Sequence, residues 1–287
     1  MAFRNIGWGY YRHYKNVPEA IAYYEKAVKI NPDDAIYYTE LDMLYELNNE
    51  PVEKRLKLFE GRSQVVKNRD DATIRQITVF TLAGQPEKAV EYIDGVKYSY
   101  REGASLMREV KIDAQLTLGK KYFAQKNYEK ALECFLNAQV PEEEAGSDQL
   151  GSRDIQVNYH IGLAYKVLNE KAKAEEFFKK SAGKKTDKIG PMNYYQGLSN
   201  IELNDSKNAE KVFESMIAEA IQQLENENTP EAGVIFGERE AENVRLSRNY
   251  TILGFGQKGL NKIKQAAKNL QKAVDLNHSN LWAKVEQ

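Results

Sequence analysis

Between positions 118 and 138 the chain reads LGKKYFAQKNYEKALECFLNA, and its apolar and small residues fall at helical spacing twice over. Leu118, Gly119 and Tyr122 share one face of a first helix, at offsets i, i+1 and i+4. Ala131, Phe135 and Ala138 share one face of a second, at i, i+4 and i+7. Lys126-Asn127-Tyr128 between them is polar and turn-forming. The pattern predicts an antiparallel helical hairpin. Gly119 and Ala131 are small enough to let the two helices approach, with Tyr122 and Phe135 filling the space beside them.

The pattern recurs from end to end and predicts about seven hairpins, about fourteen helices and no strand. The units fall at about 1–34, 35–68, 70–97, 104–140, 153–183, 190–225 and 239–278. Unit one has Ile6-Gly7, Tyr10, Ala20, Tyr24, Ala27 and Pro32, with one extra residue in its corner. Unit two is degenerate: Asp42 and Lys54 stand where small residues are usual, so looser or shifted packing is expected. Its second helix is expected to carry Leu56, Phe59 and Val65-Val66 together. Ile161-Gly162, Tyr165, Ala174 and Phe178 mark unit five, and Gly197, Ala209 and Phe213 mark unit six. Unit seven has Leu253-Gly254, Ala266, Leu270 and Ala273. Loops are expected over 94–103, 141–153 and 225–233.

A Leu-Gly, a Tyr, an Ala, an aromatic, an Ala and a late Pro, spread over a helix–turn–helix unit, resemble the tetratricopeptide repeat. The resemblance implies an all-α fold, an α-solenoid occupying 1–287 as one domain and coiling as a right-handed superhelix with a concave groove. More narrowly, the RNIGWGYY opening, the long 94–103 and 139–153 insertions and the NHSNLWA ending are similar to the C-terminal repeat region of large bacterial proteins. Those proteins also carry a β-rich N-terminal domain of unknown function.

In the repeat family the first helix of each hairpin lines the concave surface. Carried over by position, this implies a protein-binding groove of Arg4, Trp8, Tyr11 and Arg12 in unit one and Met43 in unit two. It adds Leu116 and Phe123 in unit four, then Tyr159, His160 and Leu163 in unit five. Tyr194 and Leu198 follow in unit six, and Phe255 and Lys258 in unit seven. Aromatics and arginine are common binding hot spots. A subset of the family grips the C-terminal carboxylate of chaperones with Lys and Asn. Here the matching places hold Arg4 and Trp8, Glu40, and Asp71 and Arg75; Trp8 cannot replace Asn, and the two acids would repel a carboxylate.

Acidic and basic residues nearly cancel, 42 against 41, so the chain as a whole carries no field for nucleic acid or membrane. No run reaches the 18 or so apolar residues of a membrane span. Cys134 is the only cysteine, which excludes an internal disulfide, and its place in a helix beside Phe135 reads as a buried inert thiol. Helix begins at Phe3 without a leader, which reads as a cytoplasmic chain or as a fragment of a longer protein whose own signal lies elsewhere.

Residues 254–259, GFGQKG, spell G-x-G-x-x-G, but residues 244–253 before them have helical spacing, where a dinucleotide site needs a strand. Gly254 reads instead as a helix-packing residue, and Gly256 falls outside the repeat's packing positions. His13, His160 and His278 are far apart, so no metal or cofactor site is expected. Glu142-Glu143-Glu144 reads as solvated loop, and the lysines at 179, 180, 184, 185 and 188 as a helix terminus stabilised against its dipole. Sequons at Asn204, Asn249 and Asn277 are expected to be unused.

These observations lead to a non-catalytic scaffold that binds a peptide segment or a neighbouring domain through its groove or N-terminal end. The alternatives are an intramolecular arm on the N-terminal domain of a longer, carbohydrate-related protein, and a helical-repeat RNA binder. The mostly apolar, aromatic nominated face argues against RNA. A weak homodimer through the Trp8 end is a further expectation.

Overall fold

The computed structural model describes residues 1–95, 104–139, 153–226 and 241–286. The expected loops lie outside them over 96–103, 141–152 and 227–233, and position 153 already opens a helix. Among the described residues the chain has sixteen helices and no strand, an all-α helical-repeat fold. It forms two compact units, Met1–Ala114 and Gln115–Gln287.

The first unit contains the hairpins α1 (Ala2–Arg12)/α2 (Val17–Ile30) and α3 (Ala35–Leu47)/α4 (Val52–Phe59). A one-turn helix α5 (Ser63–Val66) follows, then α6 (Asp70–Leu82)/α7 (Pro86–Gly95). The unit boundary falls inside α8 (Ala104–Ala124), which pairs with α9 (Tyr128–Asn137). The second unit continues with α10 (Arg153–Val167)/α11 (Lys171–Gly183) and α12 (Met192–Glu202)/α13 (Ser206–Glu225). It ends with α14 (Glu242–Gly259)/α15 (Ile263–Leu276) and the short α16 (Leu281–Val285). Two helices beyond the expected fourteen are α5 and α16. The first arises because Gly61 takes a left-handed φ of 68° and splits the expected second helix of unit two.

One corner is built seven times. Lys15, Asn49, Gly84, Lys126, Asn169, Asn204 and Asn261 each take positive φ at the end of a first helix. The next amide then reaches back to a carbonyl in the last turn, as a Schellman motif does. Glu50 to Tyr45 (2.9 Å), Asn127 to Tyr122 (2.9 Å) and Asp205 to Asn200 (2.8 Å) span five residues. Asn16 to Tyr10 (3.1 Å) spans six, which is where the extra residue of the first corner goes. Asn16, Asn127 and Asp205 then cap the second helices by accepting from Glu19, Lys130 and Asn208 amides.

In five of the hairpins a glycine of the first helix meets a large side chain of the second. A Cβ on Gly119 would overlap the Phe135 ring, and one on Gly197 the Phe213 ring. A Cβ on Gly162 would lie 2.7 Å from Phe178, and one on Gly254 2.8 Å from Leu270. Each partner follows its glycine by sixteen residues. Gly7 meets Tyr24 at 2.7 Å, seventeen residues on, again because of the longer corner. Phe135 therefore sits on Gly119, not beside it as expected.

Unit two is not loosely packed. Asp42, at the glycine position, is fully buried and accepts from Arg55 Nε (2.7 Å) and Nη2 (2.8 Å), with Arg55 itself 1% exposed. Arg75 of α6 adds 2.9 Å to the same carboxylate, so one buried charge cluster joins α3, α4 and α6. Burial works against the Arg55 charge, and the hydrogen bonds to Asp42 overcome it. Two apolar clusters also pack in this unit, one with Tyr24, Leu41, Leu44 and Tyr45 and one with Tyr38, Phe59, Val66 and Ala72.

In the second unit one core cluster includes Ile155, Tyr195, Phe213, Phe255, Leu270 and Ala283. Cys134 of α9 is buried too, and burial, with the Glu133 charge second, pushes its thiol up to about 11. The G-x-G-x-x-G glycines lie on α14 and serve packing in two directions. Gly254 faces α15, whereas a Cβ on Gly256 would stand 2.8 Å from both the Phe213 carbonyl oxygen and Ile217 Cγ1 of α13. Gly256 is thus a packing position after all, used between hairpins. Because a backbone atom cannot swing away, Gly256→Ala should destabilise by about 1–3 kcal/mol. Gly9→Ala, with nothing within 4 Å, should be neutral or stabilise by up to about 1 kcal/mol through helix propensity. Urea melts of the two variants check this, and equal midpoints would contradict it.

Candidate functional site

In the first unit, Trp8, Tyr11 and Arg12 come together as expected from their spacing on α1. The Trp8 and Tyr11 rings are 5.5 Å apart, the Arg12 guanidinium lies 5.5 Å from the Trp8 ring, and Trp8 is 38% exposed. Arg4 does not join them. It forms a two-pronged pair with Glu40, 2.6 Å from Nε to Oε2, and the Tyr24 hydroxyl donates to the same oxygen at 2.9 Å. Asp71 is likewise matched, by Arg69 at 2.7 Å and the Thr39 hydroxyl at 3.2 Å. Met43 is half-buried against the Leu41/Leu44 core.

The second unit brings polar groups from four first helices, α8, α10, α12 and α14, onto residues 280–286. Asn280 caps α16 by accepting from the Ala283 amide (3.1 Å), and its Nδ2 donates to Ser247 Oγ (2.7 Å) and Thr251 Oγ1 (2.8 Å) of α14. Trp282 lies between the Tyr195 ring of α12 (6.1 Å) and the Arg153 guanidinium of α10 (4.8 Å). One helical turn later, the Glu286 carboxylate receives Lys120 of α8, Lys258 Nζ of α14 (3.1 Å) and the Tyr195 hydroxyl (3.2 Å). The same lysines cap the end of α16. Lys120 donates to the Val285 carbonyl at 3.0 Å and Lys258 to the Glu286 carbonyl at 2.6 Å, where the helix dipole favours cations.

Electrostatics follow from this geometry. Burial works to raise the Glu286 carboxyl, but Lys120 and Lys258 outweigh it and hold it below the ordinary carboxylate range. The Tyr195 phenol is fully buried and driven well up by desolvation. It accepts from Gln156 Nε2 at 3.1 Å, so a line of hydrogen bonds runs Gln156, Tyr195, Glu286. His160 stacks on Phe135 (5.1 Å), and its pKa falls to about 3, first through burial and then through the Lys120 charge. His160 Nε2 and Gln156 Oε1 are buried without a hydrogen-bond partner.

Of the nominated residues here, Leu116, His160, Tyr194 and Phe255 are buried, while Phe123, Tyr159, Leu163, Leu198 and Lys258 are partly exposed. Tyr159, His160, Tyr194 and Phe255 join one ring network through Tyr195, with Tyr194 and Phe255 4.8 Å apart. Phe123 stays outside it and meets Tyr128 locally at 5.1 Å. Lys120, Arg153, Gln156, Tyr195, Trp282 and Glu286 were missed. Lys120 had a signal, since it follows Gly119 just as Leu163 follows Gly162 and Leu198 follows Gly197. In the basic cluster, Lys179 and Lys180 pair with Glu175 and Glu176 one turn earlier.

Repeated helical hairpins closed by one recurring corner define the class of protein: an all-α helical-repeat protein. Two stretches of the chain match the tetratricopeptide repeat: the family model of that description matches residues 15–34 and 155–183. A tetratricopeptide repeat protein from Parabacteroides merdae ATCC 43184 is similar over 99% of this chain and 95% of its own, with 12% identity and a TM-score of 0.54. The apo form of the quorum sensor NprR from B. thuringiensis matches 96% of this chain and 75% of its own, with 14% identity and a TM-score of 0.47. Yeast Tom70 matches 96% and 61%, with 17% identity and a TM-score of 0.36. No helix among the described residues is long and apolar enough to cross a membrane.

Proposed function

We propose that this chain is a non-catalytic protein-interaction scaffold that takes a short segment of another protein, or of its own longer chain, on the first-helix face of the second unit. The observation that carries this reading is the seating of residues 280–286, a short helical segment held there by side chains of all four first helices. Tyr159, Leu163 and Leu198 supply the partly exposed apolar surface of those helices. An RNA-binding hairpin array needs uncommitted cations, and here Lys120 and Lys258 are both engaged by Glu286.

The test is positional. A photo-crosslinking residue at Leu163 or Leu198 should capture members of a random peptide library. The same residue at Ile263, exposed on α15, should not. Equal capture at all three places would defeat the reading.

A second reading rests on the Trp8, Tyr11 and Arg12 cluster, an exposed aromatic patch of the kind that mediates association. Through it the chain forms a weak symmetric homodimer. In sedimentation the wild type should show concentration-dependent association that Trp8→Ala, Tyr11→Ala abolishes; identical monomeric profiles would rule this out.

A further inference from the structure

We infer that residues 281–286 are a detachable internal ligand, and that the face beneath them is a binding site for a partner's helical turn carrying an aromatic residue and, four residues later, a glutamate. This rests on the scaffold reading and names its partner chemistry. Trp282 and Glu286 are that pair, one helical turn apart, and each has its own receptor. The aromatic meets Tyr195 and the Arg153 guanidinium; the carboxylate meets Lys120, Lys258 and Tyr195. The two lysines come from helices at opposite ends of the second unit's sequence, α8 and α14, and converge on one carboxylate.

The internal segment is a poor fit in two respects. Five residues are too few to hold a helix in water, so α16 depends on these anchors and on the packing of Ala283 and Trp282 against the core. It also leaves His160 Nε2 and Gln156 Oε1 buried without partners, on the helix that supplies Arg153. Both side chains are more than nine-tenths buried, and His160 is 5.4 Å ring to ring from Tyr195. Unmet polar atoms beside a charged receptor mean that the closed arrangement does not use everything the face offers. A partner turn with an additional polar side chain has two more groups to engage. The tether gives the internal segment a high local concentration, so a separate peptide competes at a disadvantage until that segment is disarmed.

The probe is an amidated peptide NHSNLWAKVE labelled at its N-terminus with a carboxylate-free BODIPY fluorophore, so that its only carboxylate is that of the glutamate. It is titrated by anisotropy against the full chain, against full-chain Trp282→Ala, Glu286→Gln, and against that variant with Lys120→Met and Lys258→Met added. The disarmed chain should bind at least about tenfold more tightly than wild type. The lysine variant should not bind, and a peptide with Gln for the glutamate should bind about tenfold more weakly. Circular dichroism verifies folding. If Trp282→Ala unfolds the unit, Glu286→Gln alone, which keeps the Trp282 and Ala283 packing, takes its place. A folded, disarmed chain that ignores the peptide, or binds the Glu and Gln forms alike, overturns the inference. Crosslinking at Leu163 and Leu198 with unrelated peptides would still decide the scaffold reading.

Discussion

Asp42→Ala should lower the unfolding free energy by about 3–5 kcal/mol, because it leaves the Arg55 guanidinium buried and without its main partner. Arg55 is 1% exposed and gives Asp42 two short hydrogen bonds, 2.7 and 2.8 Å, whereas Glu46 lies farther off, at 3.5 Å. Arg75, also held by Asp42, has Glu46 at 3.1 Å and stays near solvent, so it loses less. The pair's net worth is a different quantity. Asp42→Leu, Arg55→Met removes both charges and fills similar volume, so it should recover most of the loss. Urea unfolding followed by circular dichroism compares the three chains. A single Asp42→Ala variant within about 1 kcal/mol of wild type would show that water or Glu46 rescues Arg55 and that the cluster is not buried in the sense described.

That cluster also marks where sequence reading stops. The hairpin period is local, and it located the helices because small and aromatic residues recur at fixed offsets on one helix face. The end of α13 at Glu225 and the span of α8 could be read this way. Asp42 broke the small-residue rule visibly, but the answer to it, Arg55, lies on the next helix and outside the periodic positions. A missing small residue was read as loose packing when a buried ion pair had taken its place. The left-handed corner residues include Lys15 and Lys126, and lysine has no intrinsic claim to positive φ; the flanking helices impose it.

The candidate site divides in the same manner. Lys258 was found through its register with Gly254, and Lys120 was equally available one position after Gly119. Leu116 and Phe123 come from the same carry-over by position. Tyr195 was passed over for Tyr194, yet Tyr195 carries the hydroxyl that reaches Glu286. Glu286 and Trp282 belong to no repeat unit, and only the folding-back of residues 280–286 onto four helices gives them a role. No spacing rule predicts a contact between positions 120 and 286.

His160 makes the second unit sensitive to acid. The groups around it are Lys120 on α8, Glu286, Tyr195 on α12, and Phe135 and Tyr159 beside its ring. In the folded chain its pKa is about 3, whereas in the unfolded chain it is about 6.5. The unfolded state therefore binds a proton below about pH 6.5 that the folded state refuses. The resulting stability is full above that pH and lost as pH falls toward the folded value. At about 1.4 kcal/mol per pH unit, the loss between pH 7 and 4.5 comes to about 3 kcal/mol. Glu286 acts with the same sign, but its carboxyl lies below the ordinary carboxylate range, so its share is lost at lower pH, beneath this window. Trp282 fluorescence in a Trp8→Phe background reads the second unit alone during urea unfolding. The wild-type midpoint should fall steeply from pH 7 to 4.5, and that of His160→Leu should stay nearly flat. Parallel slopes for the two chains would mean that His160 is protonated in the folded unit, with Glu286 as its counter-charge.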